Sequence, residues 1–474
     1  MASRSEAVKR LAWPIATALT AIAWWFGSGV HPYGWLTWLA PLPVLWLAPR
    51  VRASWAALAA FAAYTMGGFN TWAYLHDYIG LPMAVIVYAV TLPGIMLTLC
   101  VLPYRYFVLH GRPLAAVLAV PAVWVTLEYI NSSLSPHGTF FNAAYTQMNT
   151  LPVIQIAAVT GIWGIGFLLL LVPAAIAVQS APQAPKRSRT WIAVMAALLV
   201  VANVAYGYGR LQAPPISTLR VGLAWLENRD QPILDSDDGR ALASRYVDAI
   251  HRMAANGVQA VVIPEESFIT SDATIPAFAE LAQHDHLIVD TGLDFQSDQH
   301  PDQNIVMAFR PGTAAPITYT KHHLIPGFED KLTPSHDYAL LNGSPRIGLA
   351  ICKDMDFHDI GNAYADRGVQ LLLVPAGDFV VDGWLHSRMA IMRGVESGFA
   401  VARVARRGRL TLSDDRGRVV AEASSEKHGT ELIGDVPLHD THTLYSRWGD
   451  WFAWLNSFGL LTLVALAFSV RKNS

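Results

Sequence analysis

Cysteine is scarce in this chain, with two in 474 residues. Cys100 lies inside a long apolar run. Cys352 ends a short β-type run, 347–351, and is followed at once by Lys353-Asp354-Met355-Asp356. A thiol kept for packing usually has apolar residues on both sides. One at a strand end, beside a cation and carboxylates, can be tuned and reached. Glu265 follows the apolar Val261-Val262-Ile263-Pro264, and Lys321 follows Thr318-Tyr319-Thr320, so each also closes a β-type run. The three side-chain types have complementary jobs. A carboxylate takes the thiol proton. The thiolate attacks an acyl carbon and holds the acyl group as a thioester. An ammonium stabilises the thiolate and then the oxyanion at the attacked carbonyl. Singly, Glu265 and Lys321 read as solvated strand ends and Cys352 as a small core thiol. The chemistry requires that the fold bring them together.

Other chemistries lack their parts. His322 and His323 are adjacent, with no third and fourth ligand nearby, so no metal centre is expected. Asp354 and Asp356 lack the glycine and terminal glutamate of a calcium loop. No Gly-x-Ser-x-Gly elbow and no phosphate-cradling Gly-Lys-Ser/Thr is present. No cofactor is expected. A net charge of −2 gives no reason to expect a nucleic-acid partner. Two cysteines, one of them in an apolar run, make a structural disulfide unexpected.

Two kinds of sequence surround these residues. Segment 218–440 alternates short Val/Ile/Leu runs with amphipathic stretches. Strands are expected near 219–225, 260–263, 287–291, 305–309, 317–320, 346–351, 371–374, 399–404 and 418–423, and helices near 239–255, 275–284 and 384–397. Apolar runs without alternation indicate strands covered on both faces. This is an α/β layered domain. The remainder is far more apolar. Hydrophobic residues make up 53% of the whole chain and charged residues 15%, against roughly 25% charged in ordinary soluble chains. Candidate membrane spans are 11–30, 34–49, 54–74, 80–103, 113–131, 154–179, 190–209 and 451–470. The segment 34–49 is short and holds Pro41, Pro43 and Pro49, which suits a kinked or hairpin-like element. Lys and Arg fall on alternate connections: Arg4, Lys9 and Arg10; Arg50 and Arg52; Arg105 and Arg112; Lys186, Arg187 and Arg189; Arg471 and Lys472. The opposite loops, 31–33, 75–79 and 132–153, contain none. The positive-inside rule then puts both termini in the cytoplasm and segment 210–450 outside it. The expected division is 1–212 with seven spans, 213–443 as an extracytoplasmic catalytic domain, and 444–474 with an eighth span.

Pro264-Glu265, Lys321-His-His-Leu-Ile-Pro326 with Glu329, and Ile351-Cys352 resemble the Glu–Lys–Cys signature of the nitrilase, or carbon–nitrogen hydrolase, superfamily. Further stretches resemble the apolipoprotein N-acyltransferase family. They are Leu127-Glu128-Tyr129, 138–147, 161–167, 384–396 and Tyr445-Ser446-Arg447-Trp448-Gly449-Asp450. The resemblance implies an α-β-β-α sandwich beside a helical membrane bundle of about eight spans, working as a monomer in a bacterial inner membrane. It implies a ping-pong reaction on the periplasmic side. Cys352 would take an acyl chain from a phospholipid and pass it to the N-terminal amine of a diacylglyceryl-cysteine lipoprotein. Glu265 would be the base, and Lys321 with the Lys353 N–H the oxyanion site. Glu329 would position Lys321. Asp354, Phe379 and Trp384 are expected to touch substrate. Glu266 competes with Glu265 for the base, but strand neighbours point to opposite faces. The chain departs from the pattern where Lys353-Asp354 follow the nucleophile in place of Tyr-Glu, and where His358 replaces a common proline. The Lys353 charge is expected to favour the thiolate. Acyl transfer is therefore better supported than the acceptor's identity. Transfer to another amine, a membrane-anchored amidase and a non-catalytic scaffold are the alternatives.

Overall fold

The structure is a computed structural model that describes residues 4–227 and 231–472. The side chains of Arg4, Lys9, Arg10, Arg471 and Lys472, which carry part of the charge alternation, lie outside the described residues. The chain forms two compact units. One contains Met1–Leu134, Phe141–Leu211 and Asp450–Ser474; the other contains Ser135–Phe140 and Gln212–Gly449.

The first unit is helical. Among the described residues, five helices are long and apolar enough to cross a membrane: Met83–Leu109, Pro113–Leu134, Ile162–Gln179, Lys186–Leu211 and Trp451–Ser469. The count of about eight spans is not confirmed among the described residues, and local features account for the difference. The prolines of 34–49 break it into Gly34–Thr37, Leu42–Leu47 and a 3-10 turn at Ala48–Arg50. Ala53–Gly68 is a 16-residue helix that runs into another 3-10 turn. Gly161, at φ 65°, breaks 154–179, leaving Ile162–Gln179 as its long helix. The apolar described part of the first helix is Leu11–Gly27. These helices expose large side chains such as Leu19, Ile22, Leu99, Leu198, Leu461 and Phe468. Such surfaces suit a hydrocarbon surrounding.

The second unit has two six-stranded mixed sheets. The strands are β1 (Ser217–Trp225), β2 (Ala260–Thr270), β3 (Ile288–Ser297), β4 (His300–Phe309), β5 (Ile317–Thr320), β6 (Leu340–Leu341), β7 (Ile347–Leu349), β8 (Leu371–Gly377), β9 (Ala400–Arg406), β10 (Arg409–Ser413), β11 (Val419–Ser424) and β12 (Thr430–Leu438). Their orders are β12-β1-β2-β3-β4-β5 and β11-β10-β9-β8-β7-β6. The inner strands of each sheet, β1-β2-β3 and β7-β8-β9, are parallel. Helices α1 (Asp237–Ala255) and α2 (Pro276–His284) cover the first sheet, and α3 (His358–Asp366) and α4 (Gly383–Ser397) the second.

Strand alternation explains the layering. Leu371 and Leu373 of β8 join Val262, Leu349 and Val404 between the sheets, whereas Leu372 and Val374 pack with Tyr364 and Ala390 under the helices. Both faces are buried, so the strand reads as an unbroken apolar run. β6, β10, β12 and helix α3 lie outside the sequence expectation. β12 carries Gly434 and Pro437, which lower strand propensity, but as an edge strand paired with β1 it tolerates a proline.

Candidate active site

Lys321 follows β5 and Cys352 follows β7, while Glu265 lies within β2 where its pairing with β3 is interrupted; the two-sheet arrangement brings them to one place. Lys321 is fully buried, with its ammonium held between two carboxylates. Nζ donates to Glu265 Oε1 at 2.7 Å and to Glu329 Oε1 and Oε2 at 2.8 and 3.0 Å. Asn304 of β4 binds the same pair, its Nδ2 donating to Glu265 Oε1 at 2.7 Å and Glu329 Oε1 at 2.9 Å. Glu329 Oε2 also accepts from the Ile325 N–H at 2.6 Å, closing the loop that leads to it. Burial disfavours the ammonium, yet Glu265 and Glu329 raise its pKa well above the ordinary value. Burial likewise pushes Glu265 up, but the charge and hydrogen bond of Lys321, helped by Asn304, bring it below the usual carboxylate range. Glu265 is thus held as a carboxylate, ready to take a proton.

Cys352 has φ 42°, a left-handed conformation unusual outside glycine. The chain turns sharply there from strand into the 3-10 segment Cys352–Asp356. The Lys353 N–H stands in its first turn, where N–H groups lack intrahelical partners. Asp354 fixes this turn. Its Oδ2 accepts from the Ile351 N–H at 3.0 Å and the Tyr319 hydroxyl at 2.8 Å. Its Oδ1 accepts from the N–H groups of His322 and His323 at 3.1 and 2.9 Å. One buried carboxylate therefore ties the chain around Lys321 to the chain around Cys352.

Cys352 Sγ lies 3.4 Å from the Gly377 carbonyl oxygen. Gly377 also lies near Glu265, since a Cβ built there would lie 3.6 Å from Glu265 Oε2 and 3.4 Å from Arg406 Nε. Burial and then the Glu265 charge push the thiol pKa well up, while Lys321 and Arg403 oppose them. The resting pair is thus a thiol beside a carboxylate. Lys321 and Arg403 are the leading cations acting on the sulfur; Lys353 and Cys352 also attract each other, the direction expected of Lys353, as a smaller effect. The Lys353 side chain turns to His137, its Nζ 3.1 Å from Nδ1, and lies 4.0 Å from Asp356 Oδ2. Burial lowers the pKa of Lys353, and burial with the Lys353 charge takes His137 down to about 4.

Glu266 breaks the alternation expected of a strand. Its φ is 51°, and the β2–β3 register shifts between Ile263 and Phe268. The carboxylate forms an ion pair with Arg406 at the end of β9, on the other sheet. It therefore shares a neighbourhood with Glu265. Burial and the Glu265 charge push its pKa to about 7, against the pull of Arg406. Glu265 has a side-chain exposure of 6%, and Glu266 of 24%.

The expected substrate contacts divide. Phe379 is half-buried, with its ring 5.4 Å from that of exposed Phe328, so an aromatic pair follows the Gly377 turn. Trp384 is mostly buried beneath the Arg388 guanidinium, 5.6 Å from its ring. Asp354 is fully buried and its oxygens are occupied by backbone and tyrosine, so it positions the site instead of touching substrate. His322 Nε2 meets the Asp337 carbonyl at 3.0 Å, while His323 stacks on Phe357 and meets Asp359. Among the described residues, His251, His284 and Asp285, on α1 and at the end of α2, have ligand atoms within 4.8 Å of one another. Asp285 bridges both imidazoles at 2.6 and 2.7 Å there.

Sequence reasoning passed over Asn304, Tyr319, Asp378, Arg403 and Arg406. Arg403 and Asp378 form a bidentate buried pair, at 2.5 and 3.0 Å. His137 was also missed. It lies on Ser135–Phe140, whose Thr139 N–H and hydroxyl donate to the Asp356 carbonyl at 2.9 and 2.7 Å.

Residues 11–175 match an apolipoprotein N-acyltransferase N-terminal domain, and residues 231–445 match a carbon-nitrogen hydrolase domain. An apolipoprotein N-acyltransferase of Geobacter metallireducens is 26% identical, over 93% of this chain and 92% of its own. One from Gloeobacter violaceus is 27% identical over 93% and 91%, respectively. Among solved structures, an amidase from Nesterenkonia sp. is similar at 19% identity and a TM-score of 0.39, over 47% of this chain and 91% of that one.

Proposed function

We propose that this chain, which resembles apolipoprotein N-acyltransferases over 93% of its length, is a membrane-held cysteine acyltransferase acting on lipoproteins. Cys352 is its nucleophile, Glu265 its base, and Lys321 with the Lys353 N–H its oxyanion site. Glu329 and Asn304 hold Lys321 and Glu265 in register. The donor is a phospholipid and the acceptor the N-terminal amine of a diacylglyceryl-cysteine. The observation that carries this reading is the Gly377 junction. Its carbonyl oxygen lies 3.4 Å from the Cys352 sulfur, and a Cβ placed on Gly377 would lie 3.6 Å from Glu265 Oε2.

In the first step Glu265 takes the Cys352 proton as sulfur attacks the ester carbonyl. The oxyanion meets Lys321 and the Lys353 N–H, the C–O bond breaks, and Glu265 returns the proton to the leaving alkoxide. In the second, an amine attacks the thioester and sulfur leaves. Residues 213–443 are read as the catalytic region and 1–212 with 444–474 as the membrane region. The compact Gln212–Gly449 segment and the matched residues 231–445 support that division. The alternation of Lys and Arg supports an inner-membrane protein with cytoplasmic termini and a periplasmic catalytic unit. Monomeric action is part of the same reading. Both substrates carry acyl chains, and each buried CH₂ is worth about 0.8 kcal/mol. A site held at a bilayer meets them without drawing either fully into water.

The test is the intact mass of the protein after incubation with phospholipid. A fatty-acyl adduct on Cys352, discharged by a lipoprotein amine to N-acylated product, supports the reading. No adduct, or discharge to free fatty acid regardless of amine, overturns it in favour of a non-enzyme or an amidase.

A further inference from the structure

We infer that Glu266 is a second proton acceptor in the site, one that binds the acceptor as an ammonium ion and deprotonates it before attack. This inference rests on the reading of Cys352 as an acyl carrier. It begins with the proton count of the second step. A primary ammonium and a thioester give an amide, a thiol and one released proton. Two protons leave nitrogen. One ends on sulfur, and Glu265, at the Gly377 junction with that sulfur, handles it. The other must go elsewhere before nitrogen has a lone pair to attack with.

Glu265 is poorly suited to that earlier task. It is nearly buried, and its Oε1 is occupied by Lys321 and Asn304. Its other oxygen, Oε2, is the one near Gly377, whose carbonyl meets the sulfur, so it is placed for the proton bound for sulfur. Glu266 differs in each respect. Its left-handed backbone turns it out of the strand pattern and toward Arg406, which also flanks Gly377. It is about a quarter exposed, so a charged amine can reach it. Glu265, Asp294 of β3, Arg406 of β9 and Lys321 beyond β5 all act electrostatically on it. Burial and two carboxylates there make the proton easier to hold, and its pKa of about 7 suits exchange with an amine near neutral pH. Arg406 retains the emptied carboxylate in place until the next ammonium arrives. In the step itself, an N–H bond of the ammonium breaks and the proton passes to Glu266. Nitrogen attacks the thioester carbon, C–N forms and C–S breaks. Glu265 moves the second nitrogen proton to sulfur, and Glu266 releases its proton to water.

The experiment is single-turnover discharge of the acylated full-length protein by a diacylglyceryl-cysteine peptide, followed by mass at pH 7 and pH 9. Glu266→Gln should slow discharge at pH 7 by at least about tenfold and recover most of that deficit at pH 9, where the amine arrives unprotonated. Glu266→Asp should restore part of the pH 7 rate. An equal deficit at both pH values, or none at either, overturns the assignment. Failure of the underlying reading looks different, because the wild-type protein would then form no adduct on Cys352 or would discharge it without amine.

Discussion

The Tyr319 hydroxyl donates to Asp354 Oδ2 across 2.8 Å, joining the strand that leads to Lys321 to the turn that begins with Cys352. Four donors converge on this carboxylate, three of them backbone N–H groups. Losing the hydroxyl and losing the carboxylate should therefore have unequal effects. Tyr319→Phe removes one hydrogen bond and should cost about 1 kcal/mol. Asp354→Ala strands three backbone donors at about 1–3 kcal/mol each, and turnover should fall more than about tenfold as the two catalytic segments drift. Chemical denaturation in detergent, with the acylation rate alongside, measures both. Equal stability of Asp354→Ala and wild type would sink the idea of a clamp.

Arg403 and Asp378 are a desolvated pair near the sulfur, with side chains 2% and 0% exposed. Arg403→Met leaves a buried carboxylate without its partner, which should cost about 3–5 kcal/mol. It also removes a cation that opposes the rise of the thiol pKa, so Cys352 alkylation at a fixed pH should slow. Arg403→Lys should fall between, because an ammonium cannot make the planar bidentate contact. Melting temperature and iodoacetamide kinetics report the two effects separately. Unchanged alkylation in a folded Arg403→Met protein would remove Arg403 from the sulfur's electrostatics.

In the proposed reaction, acylation needs Glu265 as a carboxylate. Burial works against that form, but Lys321 and Asn304 hold its folded-state pKa below the ordinary 4.5. The rate of Cys352 adduct formation should then stay flat as pH falls to that value and decline only below it. The stability consequence has the same sign. A depressed folded-state pKa stabilises the fold above the unfolded value, and the contribution is lost as pH falls through the folded value. Glu265→Gln should flatten the acid limb of the melting-temperature profile. A wild-type acylation rate that declines already at pH 6 would contradict the assignment of Glu265 as the base.

Gly292 of β3 lies against the backbone that presents Glu265. A Cβ there would sit 2.8 Å from the Pro264 oxygen and 2.9 Å from the Glu265 nitrogen, and would run into the Glu265 Cα. Gly292→Ala must push β2 away from β3, at about 1–3 kcal/mol. Acylation should fall at least about tenfold, because small displacements of a catalytic group are expensive. Wild-type acylation by a folded Gly292→Ala protein would show that the base tolerates displacement.

What was legible in the sequence was what local order encodes. Glu265, Lys321 and Cys352 stood out because each polar residue interrupts an apolar run, and a strand end is where such a residue reaches a shared edge. Asn304 and Arg403 lie within strands, where only the facing sheet reveals a partner. Glu266 was misread because alternation assumes extended backbone, and nothing in Pro-Glu-Glu-Ser announces a left-handed residue. Asp354 looked accessible because it is charged and next to the nucleophile. Its burial follows from Tyr319, 35 positions earlier. Hydropathy located the apolar stretches but overstated their continuity where Pro41, Pro43 and Gly161 interrupt helices.

Ser135–Phe140 belongs to the same compact unit as Cys352, although more than seventy residues separate it from the rest of that unit. Its Thr139 holds the Asp356 carbonyl, its His137 meets Lys353, and its Gly138 approaches Asp356 so closely that a Cβ would lie 2.6 Å from that oxygen. The unit that holds Cys352 is consequently discontinuous in the gene. A fragment excised as 212–449 would carry Glu265, Lys321 and Cys352, yet lack the six-residue strap that lies against the turn bearing the Cys352 sulfur.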